Sequence, residues 1–469
     1  MKYIIQKELR VLWRSGQFRF GGLVLLLLIS LAVVISAGYF HQVQSQHAAA
    51  DKNERTLWLN QGNVNPHSAA HYGTYAFKPK YPLSLIDPGV DKYTGISVYL
   101  EAHTRNEAEH MAAADQTGLA RFGDISPDFI LLFIVPLFII LIGHNSWTKE
   151  RQKGTLKLIK AQGVSGWQLA LGKWISNFIP ILVLSLVLFF IAGLVLSGLD
   201  QFGVFSWQPL FLMLGVYLIY FAIFNTITLF VSTRALNADI SLVVLLGFWI
   251  LSSLAAPKAT SNYTDSLYPY PTRQEFQAAV AEDKKKGVDG HDPWSEASQK
   301  LKAETLKTYN VSNLEDLPFN FDALRMQKGE EHEAKVYFKH YERLKEVYQS
   351  QNQVYQRMSL LTPFLPTRFL SMAIAGTDYN HHWNFTDAAE KHRIEMQKVL
   401  NGDFAENSKL GEWNYQADTS LWSKVPTFEY EPEALQKVVA GQGNNFWALG
   451  FWLMFAFGAL FLSVRKNTI

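Results

Sequence analysis

The stretch FILLFIVPLFIILIGHNSW (residues 129–147) runs directly into TKERQKGTLKLIKAQGVSGWQLALGK (residues 148–173), and this pair decides the fold. The first part contains no Asp, Glu, Lys or Arg and is close to the ~20 residues that a helix needs to cross ~30 Å of hydrocarbon. The second part is rich in Lys and Arg. An apolar run that ends in a basic loop is typical of a transmembrane helix reaching the cytoplasmic face of a membrane.

Five further apolar runs predict an integral membrane protein with six transmembrane helices. The chain is 48% hydrophobic, yet its mean hydropathy is near zero because these runs alternate with long polar segments. The predicted spans are residues 21–40, 129–147, 174–199, 207–232, 240–256 and 446–464. A signal peptide is the alternative for the first run, because Ser36, Ala37 and Gly38 resemble a cleavage site. The run nevertheless exceeds the roughly 7–15 apolar residues of a signal peptide, which favours an uncleaved span.

Lys and Arg near the span ends predict that both termini are cytoplasmic. The cytoplasmic segments would be residues 1–20, 148–173, 233–239 and 465–469, which hold 14 of the 43 basic residues. The short loop at 200–206, on the other side, has none. The long segments 41–128 and 257–445 hold the rest, but segments of this length are translocated regardless of charge. With no cysteine in the chain, these segments fit the envelope side of a bacterial inner membrane.

The polar segments predict one interfacial helix and one large domain. Residues 1–20 alternate apolar and basic positions, as an amphipathic helix in the inner headgroup region does; an extended leader is the alternative. Residues 257–445 contain long stretches of helix formers with few breakers. The predicted fold class is therefore an all-α membrane protein: six transmembrane helices, an N-terminal amphipathic interfacial helix, and a large, mainly helical extracytoplasmic domain between helices 5 and 6.

Within the polar segments, the sequence predicts two long helices and one apolar turn. Four prolines between residues 66 and 88 exclude a single helix across 41–128. Residues 273–309 and 328–361 are predicted helices, and an aromatic stripe on the second is expected to pack against the first. Residues 359–376 are apolar but too short to span. We expect a turn and a short helix at the outer membrane surface; the alternative is a place in the core of the outer domain.

A nucleotide-binding site is not predicted, although the basic loop ends in a Gly-Lys pair. A phosphate-binding loop needs four residues between its glycines and a Ser or Thr after the lysine. Five residues lie between Gly166 and Gly172, and Lys173 is followed by Trp174. The spans also lack the buried charges of a proton-coupled carrier. Free energy for any work must come from elsewhere.

Histidines in the polar segments raise the possibility of a metal site. Their groupings are His67 with His71, His332 with His340, and His381, His382 and His392 near Asp378 and Glu390. Converging imidazoles bind zinc or copper. Surface histidines are the ordinary explanation in a chain that contains 13 of them. We therefore assign no metal ligand and no catalytic residue from the sequence.

The basic loop resembles the cytoplasmic loop of type-2 ABC transporter permeases. In that family an E-x-x-x-G-T-L element is followed by a small-residue turn and a Gly-Lys pair. The matching residues here are Glu150, Gly154, Thr155, Leu156, Gly163, Ser165, Gly172 and Lys173. The resemblance implies that this loop binds a separate ATPase subunit, which holds the ATP and magnesium, and that this chain has no cofactor. An ordinary basic loop is the alternative.

Residues 361–401 resemble a permease subgroup that has a large helical outer domain of unassigned function. The matching residues are Pro363, Gly376, Thr377, Asp378, His382, Phe385 and Arg393. Many members have Ser-Pro where this chain has Thr362 and Pro363. Residues 41–128 match no motif.

The resemblance implies a permease subunit of an ATP-driven exporter. Its partners would be an ABC ATPase dimer, a second permease subunit (identical or related), membrane lipid, and a periplasmic or outer-membrane protein; nothing predicts a nucleic-acid partner. A second hypothesis is a mechanotransmission subunit that passes ATP-driven motion to an envelope partner without moving cargo. A third is a membrane-anchored metalloenzyme. The sequence does not identify the cargo.

Overall fold

The computed structural model describes residues 1–115, 125–198 and 205–466, and the protein is 75% helical. Among the described residues, six helices are long and apolar enough to cross a membrane. These helices, here called spans 1–6, are Gly16–Leu59, Pro127–Gln152, Gly166–Gly198, Trp207–Arg234, Ala238–Leu267 and Gly443–Arg465. The predicted all-α membrane fold is confirmed. The loop predicted at 200–206 and the tail at 465–469 fall largely outside the described residues.

Span 4 is the centre of the helix bundle. Its most apolar window is 72% buried, against 17% for span 1, because it packs against spans 2, 3, 5 and 6. Tyr217, Tyr220 and Phe224 on span 4 are completely or almost completely buried. Span 4 is therefore positioned to contact groups at both ends of the bundle.

Two of the spans contain a π-helical turn next to a proline. The turns are Ile130–Ile134 in span 2, before Pro136, and Leu251–Ala255 in span 5, before Pro257. Proline lacks an N–H group and leaves an upstream carbonyl without its helical donor. Tyr220 donates to the Leu132 carbonyl at 3.0 Å, and Trp249 donates to the Phe133 carbonyl at 3.1 Å. Neighbouring spans thus satisfy backbone groups that lipid could not.

Span 1 continues well beyond the predicted residues 21–40. Its 44 residues correspond to about 66 Å of helix, twice the hydrocarbon thickness. The far end lies in a second hydrophobic core, where Trp58 donates to the Trp422 carbonyl at 3.0 Å. The first part of the segment predicted as an outer loop, 41–128, is therefore a rod that connects the bundle to the polar residues.

The polar residues of both long segments form a single unit, here called the polar domain (residues 60–115 and 268–441). Its helices of at least seven residues are Pro66–Tyr72, Arg273–Lys284, Glu296–Tyr309, Phe321–Met358, Phe364–Ala375, Tyr379–Asn407 and Leu435–Gly441. Its short helical turns are Pro82–Leu85, Asp91–Thr94, Ala112–Asp115, Leu314–Asp316 and Thr419–Trp422. Val64 and Ala417 exchange backbone hydrogen bonds at 3.2 and 2.9 Å, which joins the two segments.

A small antiparallel sheet lies in the first segment of the polar domain. Strands β1 (Thr74–Phe77), β2 (Ser97–Glu101) and β3 (Thr104–Arg105) pair in that order. Tyr75 lies opposite Tyr99, and Leu100 lies opposite Arg105. The sheet packs against helix Tyr379–Asn407.

The predicted helix at 273–309 is wrong in its middle. Helices Arg273–Lys284 and Glu296–Tyr309 are separated by a loop that contains Gly287, Gly290 and Pro293. Three helix breakers within seven residues outweigh the helix formers on either side. This loop places His291 beside His67 and His103 of the first segment of the polar domain (residues 60–115).

The predicted helix at 328–361 is present as Phe321–Met358, but its aromatic stripe has more than one partner. Tyr341 contacts Phe276, with ring centroids 5.2 Å apart, as expected for packing on residues 273–309. Tyr348 instead contacts Tyr379, with ring centroids 4.7 Å apart, and Tyr355 contacts Phe369 at 5.5 Å. The helix therefore packs against elements that follow it in the chain as well as against those that precede it.

Helix Phe364–Ala375, here called the junction helix, is buried against the spans, whereas the sequence predicted it at the outer membrane surface. Phe364, Leu365 and Leu370 belong to the same hydrophobic core as spans 2, 4 and 6. Burial of each such side chain contributes on the order of 1.5–3 kcal/mol. Protein rather than lipid covers these residues, whereas Leu360 and Leu361, just before the helix, are exposed.

Candidate functional site

The basic loop (residues 148–173) folds into a short helix between two glycine turns. Gly154 has φ 72° and Gly163 has φ 81°, values that glycine adopts without strain. Helix Thr155–Ala161 lies between them. Ser165 and Gln168 then cap span 3 reciprocally, because each backbone N–H donates to the other side chain at 3.1–3.2 Å. The predicted pattern of a charged turn, a helix and a small-residue break is present.

Two leucines of this short helix face opposite ways. Leu156 is 9% exposed and packs in a core with Trp147, Leu169 and Val464. Leu158 is 64% exposed. The first leucine fixes the helix to the spans, and the second presents an apolar side chain on a basic surface.

Lys173 and Glu150 meet in a buried ion-pair cluster. The Lys173 ammonium lies 3.1 Å from Glu150 and 2.9 Å from Glu8 of the N-terminal helix Lys2–Arg14. Lys7 also pairs with Glu150 and, at 2.9 Å, with Glu8. The Lys173 side chain is only 1% exposed. It is paired with two carboxylates.

The eight predicted loop residues therefore divide into two groups. Buried members that hold the loop are Glu150, Leu156, Gly172 and Lys173; exposed or partly exposed members are Gly154, Thr155, Gly163 and Ser165. Gly172 allows close approach of the N-terminal helix, since a Cβ there would lie 2.6 Å from Ile4. The sequence pattern did not distinguish these two roles.

The loop is also bonded to the turn between spans 4 and 5. Arg151 donates to the Ala235 carbonyl at 2.6 Å and to the Thr233 carbonyl. The Trp147 N–H donates to Ser232 at 3.0 Å. The start of the basic loop is therefore attached to the end of span 4.

A second charged cluster lies at the opposite end of span 4, between the bundle and the polar domain. Arg368 of the junction helix lies 2.9 Å from Asp87 and 2.6 Å from Asp128 at the start of span 2. Ser371 donates to Asp87 at 2.5 Å and is itself 2.9 Å from the Tyr217 hydroxyl of span 4. Asp87 is completely buried, and burial raises its pKa to about 6 against the opposing charge of Arg368.

The motif residues Pro363, Gly376, Thr377 and Asp378 lie at the two ends of the junction helix and at the start of the next helix. Pro363 caps the junction helix, and Gly376 ends it at φ 74°, where a Cβ would meet the Tyr81 ring at 2.9 Å. Thr377 donates to the Asp87 carbonyl at 3.0 Å. Asp378 caps helix Tyr379–Asn407 by accepting from the His381 N–H at 3.0 Å.

The other motif residues lie inside the polar domain. His382 is largely buried, and burial lowers its pKa to about 3. Phe385 is completely buried in the second core. Arg393 bonds Glu390 at 2.9 Å and Glu330 at 2.9 Å. These residues serve packing and charge pairing.

One predicted histidine pair, His67 with His71, is part of a convergent group, whereas the predicted group at 381–392 does not converge. His381 pairs with Asp378 at 2.6 Å, and His392 lies against Phe428, so His381, His382 and His392 have separate environments. His67 and His71 instead meet two other histidines, His103 and His291. Burial and the neighbouring imidazoles lower the pKa of His67 to about 4. Burial acts against protonation of His103 too, but Glu330 and Glu333 raise its pKa to about 9.

Sequence reasoning missed Glu8, Asp87, Asp128 and Glu330 as members of these clusters. The signal for Asp87 and Asp128 was Arg368 itself, because an arginine in an apolar segment requires a carboxylate partner. The partners come from positions 240 or more residues away. No spacing rule could select them.

We predict that Lys173→Met lowers the melting temperature of the detergent-purified protein. It leaves the largely buried Glu8 and Glu150 with Lys7 as their remaining partner, at a cost of about 1–3 kcal/mol. Lys157→Met in the same loop removes an exposed charge and should change stability by less than about 0.5 kcal/mol. Equal melting temperatures for the two variants would contradict the structural role of Lys173.

Comparison with known proteins assigns families to two regions of the chain. Residues 104–251, which include the basic loop, match the family described as ABC-2 family transporter protein. Residues 273–431 match a domain of unknown function, DUF3526. No curated protein matches the chain. Over these residues the chain is similar to ABC-2 family transporter proteins and to DUF3526, which is consistent with a multi-pass membrane permease that carries an additional domain.

Proposed function

We propose that this protein is the permease subunit that couples ATP hydrolysis by a separate ABC ATPase dimer to export of a substrate across a bacterial inner membrane. The observation that carries the proposal is the short helix Thr155–Ala161. It presents exposed Leu158 and Lys157 while Leu156 and Arg151 fix it to the spans. An exposed apolar side chain on a rigid support is what a docking surface requires. A second permease subunit, identical or related, would complete the complex.

The proposed orientation places the basic loop and both termini in the cytoplasm and the polar domain outside. The charge distribution supports it, because Lys and Arg concentrate at the basic-loop end of the spans. The cysteine-free polar domain suits the envelope side.

Docking can be tested with Leu158→Glu. A charge at this position should weaken binding to the ATPase at least tenfold, a loss of about 1.4 kcal/mol, and reduce stimulation of ATP hydrolysis. Co-purification and ATPase assays measure both effects. The control is Leu267→Glu, which alters a leucine that is 47% exposed at the far end of span 5. Full binding and stimulation with Leu158→Glu would refute the docking surface.

Orientation can be tested with single cysteines, since the chain has none of its own. Lys300→Cys in the polar domain and Lys157→Cys in the basic loop are both exposed positions. A membrane-impermeant thiol reagent should label the first in cells with an intact inner membrane and the second only after lysis. The reverse pattern would overturn the proposed topology.

A mechanotransmission subunit is the second candidate, and the junction helix favours it. This helix is bonded to span 4 through Ser371 and Tyr217, and the residue before it, Thr362, is bonded to Ser252 in the π turn of span 5 at 2.6 Å. It also follows directly on the 38-residue helix Phe321–Met358, which is about 57 Å long. Movement of the spans would therefore tilt a long rod in the polar domain.

Spin labels at Gln349 and Val243, both exposed, would measure this movement. The mechanical function predicts that their distance distribution changes between nucleotide-free and ATP-trapped complexes while sealed vesicles show no net transport. Transport into the vesicles would favour export. An unchanged distribution with intact ATPase activity would exclude the mechanical function.

A further inference from the structure

Four histidines from three separate segments converge on the surface of the polar domain. His67 and His71 are one turn apart on helix Pro66–Tyr72, His103 lies between β2 and β3, and His291 lies in the loop that interrupts 273–309. The Nε2 atoms of His67 and His71 are 3.2 Å apart, and those of His103 and His291 are 2.8 Å apart. One ring nitrogen from each of the four lies within 4.8 Å of the other three.

This spacing fits a tetrahedral metal ion. With zinc–nitrogen bonds of about 2.0–2.1 Å, the nitrogens of a tetrahedral site lie about 3.3–3.4 Å apart. His67 and His71 already have nearly this separation, and the nitrogens of His103 and His291 would need to move apart by about half an ångström. Hydrogen bonds between neutral imidazoles can account for each pair. Those hydrogen bonds do not explain why the two pairs also pack against each other. The ring centroids of His67 and His291, one from each pair, are 5.1 Å apart.

His103 also has the outer partners that are typical of a metal ligand. Its Nδ1 lies 2.9 Å from Glu330, which leaves Nε2 to face the other three rings. Glu330 is itself held by Arg393 at 2.9 Å, and both side chains are almost completely buried. A carboxylate that fixes the tautomer and orientation of a histidine in this way is the usual outer partner of zinc-bound imidazole.

The backbone around His103 is held in an uncommon conformation that points its ring into the cluster. His103 has φ 65°, in the left-handed region that residues other than glycine seldom adopt. Its N–H donates to Glu330 at 2.8 Å, and its carbonyl accepts from Lys284 at 3.0 Å. Such strain persists where surrounding contacts require it, and it is frequent at ligand sites.

We propose that His67, His71, His103 and His291 together bind one Zn²⁺ ion, with Glu330 as the outer partner of His103. Four nitrogen donors without a thiolate select a borderline cation such as zinc rather than magnesium or calcium. His71 and His291 are exposed, so the ion can enter from solvent. Four protein ligands close the coordination sphere, which makes the site structural rather than catalytic. The ion would join the first polar segment to the DUF3526 region.

The test uses the full-length protein in detergent, purified without a histidine tag, stripped with a chelator and titrated with Zn²⁺. We expect one tightly bound zinc per chain by elemental analysis and four nitrogen neighbours at about 2.0–2.1 Å by X-ray absorption. Zinc should raise the melting temperature, and magnesium should not. Glu330→Gln should weaken zinc binding about 10–100-fold.

The double variant His71→Asn/His291→Asn removes two exposed ligands and should lose both the bound zinc and its effect on melting. The matched control is His41→Asn, an exposed histidine on span 1 outside the cluster, which should bind zinc as the unaltered protein does. Equal zinc content in the double variant and the control would overturn the proposal, as would a protein that takes up no zinc. Neither readout involves the ATPase, so the result is independent of the proposed function.

Discussion

The contact between Arg368 and Asp87 is the interaction on which the arrangement of bundle and polar domain depends. Asp87 is completely buried, and a buried carboxylate is tolerated only when it is paired and hydrogen-bonded. Arg368, Ser371 and the Gly89 N–H supply those bonds at 2.5–2.9 Å. Asp87 comes from the first polar segment and Arg368 from the junction helix, so the charge cannot be satisfied unless these two segments meet, and Asp128 joins them to span 2.

A comparable constraint operates at the other end of the bundle. Lys173 joins the N-terminal helix to the basic loop through Glu8 and Glu150, and its burial requires all three groups to be in place. Removal of one partner from either cluster leaves a buried charge with fewer partners, which lowers the stability of the protein far more than loss of an exposed ion pair does. The two ends of the bundle are thus specified by charge pairing, while the middle is specified by apolar and aromatic packing.

The sequence was sufficient for features that depend on local composition. Six spans follow from apolar length alone, and the glycine turns at Gly154 and Gly163 follow from the permease-like loop. The interruption of 273–309 was also visible in Gly287, Gly290 and Pro293, but the flanking helix formers were given too much weight. The convergence of His103, Glu330 and Arg393 could not be predicted, because a separation of 227 positions between His103 and Glu330 carries no information on their distance in space. For the same reason Lys173 resembled a docking residue although it is buried.

Span 4 connects these two specified ends through a single continuous helix. Ser232 bonds the basic loop, and Tyr217 bonds the junction helix through Ser371. Fifteen residues separate them, about 22 Å of helix. In the proposed mechanical function, this helix is the element that would carry a displacement from one end to the other. The motif residues Gly376, Thr377 and Asp378 lie where that displacement would reach the polar domain. These residues are engaged in capping and packing, so the envelope partner of the proposed mechanical function would be recognised by exposed residues of the domain outside the motif.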